Sequence, residues 1–365
     1  MARKWLAVAA AAAAGTAAVA RGISVQAGAK PAGTRAERVA RSPRYRDGAF
    51  HNAAVTSTVP QASDMRDTIR EMIFGKQRRH PSAPVPVMKR VERPATDGLH
   101  VTWYGHSSAL AEIDGARVLF DPVWSERVSP SALVGPKRLH PVPVALAELP
   151  TLDAIVISHD HYDHLDMASI RTLTRTQAAP FVVPLGVGAH LERWRVPADR
   201  IVELDWTESV DLAGLHIVAT PAQHFSGRLF QRDGTLWTSW TVIGPRRKLF
   251  YTGDSGYFDG YAAIGEQYGP FDVALVQIGA YGDAWPTIHM TPEEGVVAAV
   301  DVRADLLVPV HWGTFNLALH DWTEPADRLW REAKARDVRI AVPRPGERID
   351  ADDPPAVDGW WQALG

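Results

Sequence analysis

With 365 residues, 46 % of them apolar, the chain can bury a large core. That is enough for one big α/β domain with extensions, or for two domains. A formal net charge of −3 offers nucleic acid no bulk attraction. The absence of cysteine excludes disulfides and leaves His, Asp and Glu to hold any metal.

Arg3 and Lys4 precede an Ala-rich apolar run from Trp5 to Ala20, which ends in Ala18-Val19-Ala20. A basic start, a short apolar stretch and a small-x-small end predict a secretory signal peptide over residues 1–20. Export to the periplasm or cell envelope would follow; the alternative is an uncleaved membrane anchor. Residues 21–95 read as a linker or extended wrap carrying one amphipathic helix over 63–75. Met65, Ile69, Met72 and Ile73 fall at i, i+4, i+7 and i+8, and Gly75 closes the pattern. That helix either lies on the main domain or makes a peripheral contact with lipid.

Repeated prolines over 80–96 mark a boundary, and a main domain is expected over 96–345 with a tail over 346–365. His100–Tyr104 and Arg117–Phe120 predict strands flanking the turn pair Asp114-Gly115. Asp153–Ser158 predicts a buried strand and Leu165–Thr176 a helix. Further strands are expected at Phe181–Pro184, Arg200–Leu204, Asp272–Ile278, Leu306–Val310 and Val338–Val342, with one hairpin over Ser209–Thr220 through Ala213-Gly214 and another from Trp237–Ile243 to Lys248–Thr252 through Gly244-Pro245. Thr291-Pro292-Glu293-Glu294 is a capping box with proline at the first helical position. A second late helix spans Glu324–Arg336. Hairpins followed by alternating strands and helices, twice over, suit two mixed sheets face to face with helices outside.

The densest chemistry lies at His159-Asp160-His161-Tyr162-Asp163-His164, where the strand ends. Three imidazoles and a carboxylate in this spacing supply ligands to two adjacent metals, and adjacent metals suit hydrolysis. His224, Asp254 and His311 each follow an apolar strand. Any one alone reads as a structural residue; together with the motif they complete a two-metal ligand set.

The order H-x-H-x-D-H, His, Asp, His resembles the ligand series of the metallo-β-lactamase superfamily. Asp121-Pro122-Val123-Trp124, Gly135-Pro136-Lys137-Arg138, His161-Tyr162-Asp163-His164-Leu165-Asp166, Pro221-Ala222-Gln223-His224, Gly253-Asp254-Ser255-Gly256-Tyr257-Phe258 and His311-Trp312-Gly313-Thr314-Phe315 extend the likeness. They resemble the branch of phospholipases D that hydrolyse N-acylphosphatidylethanolamine, across roughly residues 43–345. The loop Ala280–Ile288 departs from that branch.

This resemblance implies an α/β fold, a four-layer αβ/βα sandwich with metals at one edge of its sheets. It places His159, His161 and His224 on one Zn²⁺, Asp163, His164 and His311 on a second, and Asp254 between them, with Mn²⁺ or Fe as alternative metals. The implied reaction is phospholipase D-type phosphodiester hydrolysis by a metal-bridging hydroxide, on N-acyl phospholipids or related diesters. Asp254 or Asp163 would relay the proton. His289, just before the capped helix, matches a His of that branch and would bind phosphate or protonate the leaving group; otherwise it is a polar loop residue. The alternative on the same metals is a lactonase or another ester or amide hydrolase. Charge and leader oppose RNA processing, and the complete ligand series opposes a decayed, non-catalytic member. Around these ligands, His106 reads as a structural hydrogen-bonder, and Asp166 as either a His-orienting acceptor or a helix cap. Trp124, Trp285 and Trp312 either line an acyl trench or pack in the core. His140, His190, His216 and His320 receive no role.

Overall fold

Val118, Leu119 and Phe120 are all fully buried, yet they enter different cores. Val118 and Phe120 join one apolar cluster and Leu119 another. Ala154, Ile155 and Val156 divide in the same way. Side chains alternate along a strand, so an unbroken apolar run needs cover on both faces.

The computed structural model describes residues 22–54, 56, 58, 62–89, 95–131, 133–229 and 231–365. The leader reading for 1–20 and the side chain of Met65 lie outside the described residues. Strands β1 (Leu99–Gly105), β2 (Ser108–Ile113), β3 (Ala116–Phe120), β4 (Ala154–Val156), β5 (Phe181–Pro184) and β6 (Ile201–Leu204) form the first sheet. Strands β7 (Ser209–Leu212), β8 (Leu215–Thr220), β9 (Ser239–Ile243), β10 (Lys248–Tyr251), β11 (Phe271–Gln277) and β12 (Ala304–Val310) form the second, and β13 (Arg348–Asp350) returns to the first. The sheet orders are β13-β1-β2-β3-β4-β5-β6 and β12-β11-β10-β9-β8-β7.

Helices α1 (Gly33–Arg41) and α2 (Ala62–Phe74) precede the sheets. Helices α3 (Met167–Thr176) and α4 (Gly188–Arg193) cover the outer face of the first sheet through Ile170, Leu173 and Leu191. After α5 (Gly260–Tyr268), helices α6 (Pro292–Asp301) and α7 (Glu324–Ala335) bury Val296, Ala299 and Leu329 in the core that includes the second sheet. This is the four-layer arrangement the strand order predicts. Among the described residues, no helix is long and apolar enough to cross a membrane.

Strand direction explains where chemistry collects. β3, β4, β5 and β6 run parallel, and two antiparallel steps make β1 parallel to β3. In the second sheet β10, β11 and β12 are parallel, and β8 shares their direction through antiparallel β9. Within each sheet the C-terminal ends of these strands therefore share one edge.

Three sequence readings change. The Asp114-Gly115 turn joins β2 to β3, so Ser108–Ile113 is a strand that the reading left out. Both turn residues have positive φ (50° and 91°), as a tight hairpin turn requires. Val338–Val342 makes only an isolated bridge, Ile340 to Leu307; Pro343 and Pro345 follow and lack the N–H a ladder needs. The stretch read as a tail supplies β13 and the buried Trp360 and Trp361. Of the two readings of the N-terminal extension, the wrap agrees with the structure: Val39 and Phe50 share a cluster with Leu185, Trp206 and Trp237. Arg35 also bonds Glu203 at 2.5 Å.

Candidate metal centre

All seven residues predicted as ligands meet at the shared edge. The loop after β4 carries His159, His161, Asp163 and His164; His224 follows β8, Asp254 follows β10 and His311 follows β12. Asp254 Oδ2 is the central atom. It lies 3.0 Å from His311 Nε2, 3.1 Å from His164 Nε2, and 3.9 Å from Nε2 of both His159 and His224. Asp163 Oδ2 lies 3.4 Å from His311 Nε2 and 3.6 Å from His164 Nε2.

The far nitrogen of three rings is already engaged. His224 Nδ1 donates to Ile288 O at 2.9 Å, and His164 Nδ1 to Asp121 Oδ2 at 2.6 Å. Ser158 Oγ donates to Asp121 Oδ2, so it accepts from His159 Nδ1 at 2.9 Å. These bonds place a hydrogen on Nδ1 of each ring; in His159 and His224 they leave Nε2 a bare lone pair, and in His164 they turn Nε2 toward Asp254. His159 Nε2 and His224 Nε2 then face His161 Nδ1 at 2.8 and 3.3 Å. Among the described residues, His164 Nε2, His311 Nε2 and Asp254 Oδ1 are buried without a hydrogen bond. Buried polar atoms normally have partners. Converging bare imidazoles and carboxylates are what a divalent cation satisfies, and the residues fit such a group.

Charge follows the same division. Burial, with the charges of neighbouring imidazoles, holds His159 well below its ordinary value. Burial likewise holds His224 well below, against the pull of Asp254. His164 and His311 behave oppositely. Burial alone would lower them, but Asp254 and Asp163 overcome it, raising His164 well above its ordinary value and His311 to about 9. Protons thus occupy this half of the cluster when no metal does. Metal must displace them, so affinity should climb with pH up to about 9. The metal-free chain should behave in the reverse sense. Its stabilisation through His311 is complete below the ordinary imidazole value of 6.5 and is lost as pH rises through about 9. Chelator competition and melting curves between about pH 6 and 9 test both signs; a flat affinity would contradict this assignment.

His106 Nε2 bonds Asp163 Oδ2 at 3.0 Å, and its carbonyl accepts from the His311 N–H at 2.9 Å. It is a hydrogen-bonder beside the cluster. Asp166 caps α3, accepting from the N–H groups of Ala168 and Ser169, so the capping alternative holds. His289 Nε2 lies 4.0 Å from Asp254 Oδ2. Burial lowers His289 to about 4, so at neutral pH it is a neutral hydrogen-bonding group and not a ready acid. Trp312 stacks on Trp103 with centroids 5.7 Å apart, and Trp124 donates to Val144 O from among core side chains. Of the three tryptophans only Trp285 lines the cleft of about 680 Å³ that reaches His289.

Two residues escaped the sequence reading. Asp121, at the end of β3, receives hydrogen bonds from Ser158 N, Ser158 Oγ, Tyr251 Oη and His164 Nδ1. Its place after an apolar strand was the available signal, and the motif containing it was noted only as a likeness. Asn52 bonds the backbone of His224, and nothing local in the sequence marks it.

A shared edge of two layered sheets bearing this donor set is the architecture of a metal-dependent hydrolase fold. The chain belongs to the β-lactamase superfamily, since the model of the beta-lactamase superfamily domain matches residues 116–312. The N-acyl-phosphatidylethanolamine-hydrolyzing phospholipase D 1 of Caenorhabditis elegans is 38 % identical over 273 residues, 70 % of this chain and 77 % of that protein. An uncharacterized protein of Mycobacterium tuberculosis is 51 % identical over 326 residues, 88 % of each chain. Among solved structures, the metallo hydrolase Igni18 of the archaeon Ignicoccus hospitalis aligns with a TM-score of 0.53 at 26 % identity, over 69 % of this chain and 97 % of that one.

Proposed function

We propose that the chain is a binuclear zinc phosphodiesterase of the phospholipase D type, acting on N-acyl phospholipids or related diesters. The observation that carries this reading is the central Asp254 Oδ2, set among four imidazole nitrogens in two groups. Likeness to the C. elegans phospholipase supports the substrate class. His159, His161 and His224 would hold one metal; Asp163, His164 and His311 the other; Asp254 both. Bound there, such metals supply a hydroxide nucleophile at neutral pH and offset charge on the phosphate oxygens. Asp254 and Asp163, held well below the usual carboxylate range by the surrounding imidazoles although burial opposes it, stay ionised at neutral pH, and one or the other would relay the proton of the attacking water onward to solvent. Neutral His289, on the cleft side, orients a phosphate oxygen by hydrogen bonding.

The surroundings of the cleft support a lipid substrate. Asp67, Thr68 and Glu71 of α2 line it together with Tyr281 and Leu319. The other face of α2 is unusually bare: Ile69, Met72, Ile73 and Phe74 are 50, 56, 65 and 75 % exposed. Between residues 62 and 79 five cations stand against three carboxylates. An outward apolar stripe with a basic surround suits an anionic lipid surface, and this face would set the cleft at the bilayer. The leader at 1–20 would place the enzyme in the cell envelope, where such lipid is at hand.

The test is metal-loaded protein on anionic vesicles carrying N-acylphosphatidylethanolamine, beside a soluble phosphodiester and a lactone. Release of phosphatidate and N-acylethanolamine is expected. Burying one large apolar side chain is worth roughly 1.5–3 kcal/mol. Ile73→Glu with Phe74→Glu should therefore cut vesicle turnover at least about tenfold and spare the soluble diester. Lactone turnover without diester turnover would replace this reading with a lactonase.

A further inference from the structure

The N-terminal extension is bonded directly to the segment that carries His224 and, through Arg228 and His190, to the loop that carries His159 and His161. Asn52 Oδ1 accepts from the His224 N–H at 3.0 Å, and Asn52 Nδ2 donates to His224 O at 2.9 Å. One buried amide thus fixes that ligand's backbone in both directions. Trp237 Nε1 donates to the same Oδ1 at 2.9 Å and sets the orientation of the amide.

A second set of contacts holds the six-residue loop from behind. Arg228 is fully buried. Its Nη1 donates to Asp160 O at 2.7 Å and Leu165 O at 2.9 Å, bracketing the loop. Its Nε and Nη2 donate to Gln26 O at 3.1 and 2.7 Å. Asp160, between two of the ligands, accepts from Gly227 N at 2.7 Å. His190 Nδ1 accepts from the Ala29 N–H at 3.0 Å, so its Nε2 carries the hydrogen and donates to Asp160 Oδ2 at 3.2 Å. Trp194 Nε1 donates to Val25 O at 2.7 Å. Contact here is tight: a Cβ on Gly28, at φ +80°, would stand 2.0 Å from His190 Nδ1.

We infer that residues 25–52 are a brace for the His159, His161 and His224 position and set its metal affinity, an inference that rests on the binuclear reading above. The groups bonded to His164 and Asp163 differ: Asp121 and His106 both belong to the sheets' own edge. Arg228 also holds Leu165 O, next to His164, whereas Asn52 is bonded to the His224 backbone; loosening the brace should therefore weaken the His159, His161 and His224 position more than the other. Groups that orient metal ligands typically contribute 10–100-fold to affinity.

The experiment strips metal from the full chain and titrates it with Co²⁺ against a chelator, alongside melting curves of the metal-free protein. Asn52→Ala, Gly28→Ala and Trp194→Phe are compared with the parent; Asn52→Asp keeps the acceptor and loses the donor. One of two Co²⁺ equivalents should weaken about tenfold or more in the first three, with partial recovery in Asn52→Asp. Parental affinity in every variant overturns the brace alone. Equal weakening of both equivalents, in step with a lower melting temperature, also overturns it, because that marks general destabilisation. A parent that binds no Co²⁺ overturns the binuclear reading and the brace with it.

Discussion

On the proposed binuclear reading, Asp254→Asn should lower turnover about a thousandfold or more, because it would remove charge from both metal positions at once. Asp254 Oδ2 is within 3.1 Å of His164 Nε2 and 3.0 Å of His311 Nε2, with His159 and His224 at 3.9 Å. An amide is close to isosteric, yet it carries no charge to hold two cations together. Several kcal/mol of charge stabilisation correspond to about three decades of rate. Bound metal, measured by elemental analysis, should fall with the rate. The variant should also lose much of the upward shift of His311, since Asp254 is the main carboxylate raising it against burial. Two bound metals with parental turnover would refute the central role of this carboxylate.

Asp121→Ala should cause the largest loss of stability. Ser158 N, Ser158 Oγ, Tyr251 Oη and His164 Nδ1 donate to it at 2.7, 2.5, 2.5 and 2.6 Å, and the carboxylate is fully buried. Alanine cannot accept, and no solvent reaches the site to compensate. A buried donor left unpaired costs about 1–3 kcal/mol, so four amount to several kcal/mol against a total stability of about 5–15. The melting temperature should drop by about 10 °C or more. Metal affinity at the His164 position should fall 10–100-fold as well, because the ring loses the bond that fixes its tautomer. Asp121→Asn separates the effects: it keeps one acceptor, so more stability survives, while its amide cannot hold His164 Nδ1–H as a carboxylate does. An alanine variant that melts within about 2 °C of the parent would contradict the reckoning.

Legibility divided along the range of the interactions. Ligand density at 159–164 is visible within six residues, and His224, Asp254 and His311 each carry a local mark, an apolar strand just before them. Asp121 carries the same mark but sits among ordinary core residues. Its meaning comes from Ser158, His164 and Tyr251, the last 130 positions away. Asn52 is 172 positions from His224 and lay in a segment whose Ala, Gly and Pro content suggests a linker. The tail was misread for a similar reason: Asp and Pro dominate 351–358, while Trp360 and Trp361 find their partners in Trp312 and Trp330.

The sequence by itself determined the series of candidate ligands, the two mixed sheets and the apolar stripe of α2, because periodicity and strand-end chemistry are set by near neighbours. Tertiary structure alone decided that the stripe faces outward, that Asp121 binds four donors, and that Asn52 bonds the backbone of His224. Each of these depends on which distant surfaces meet when the sheets stack, and a buried polar group shows its role only once its partner has arrived.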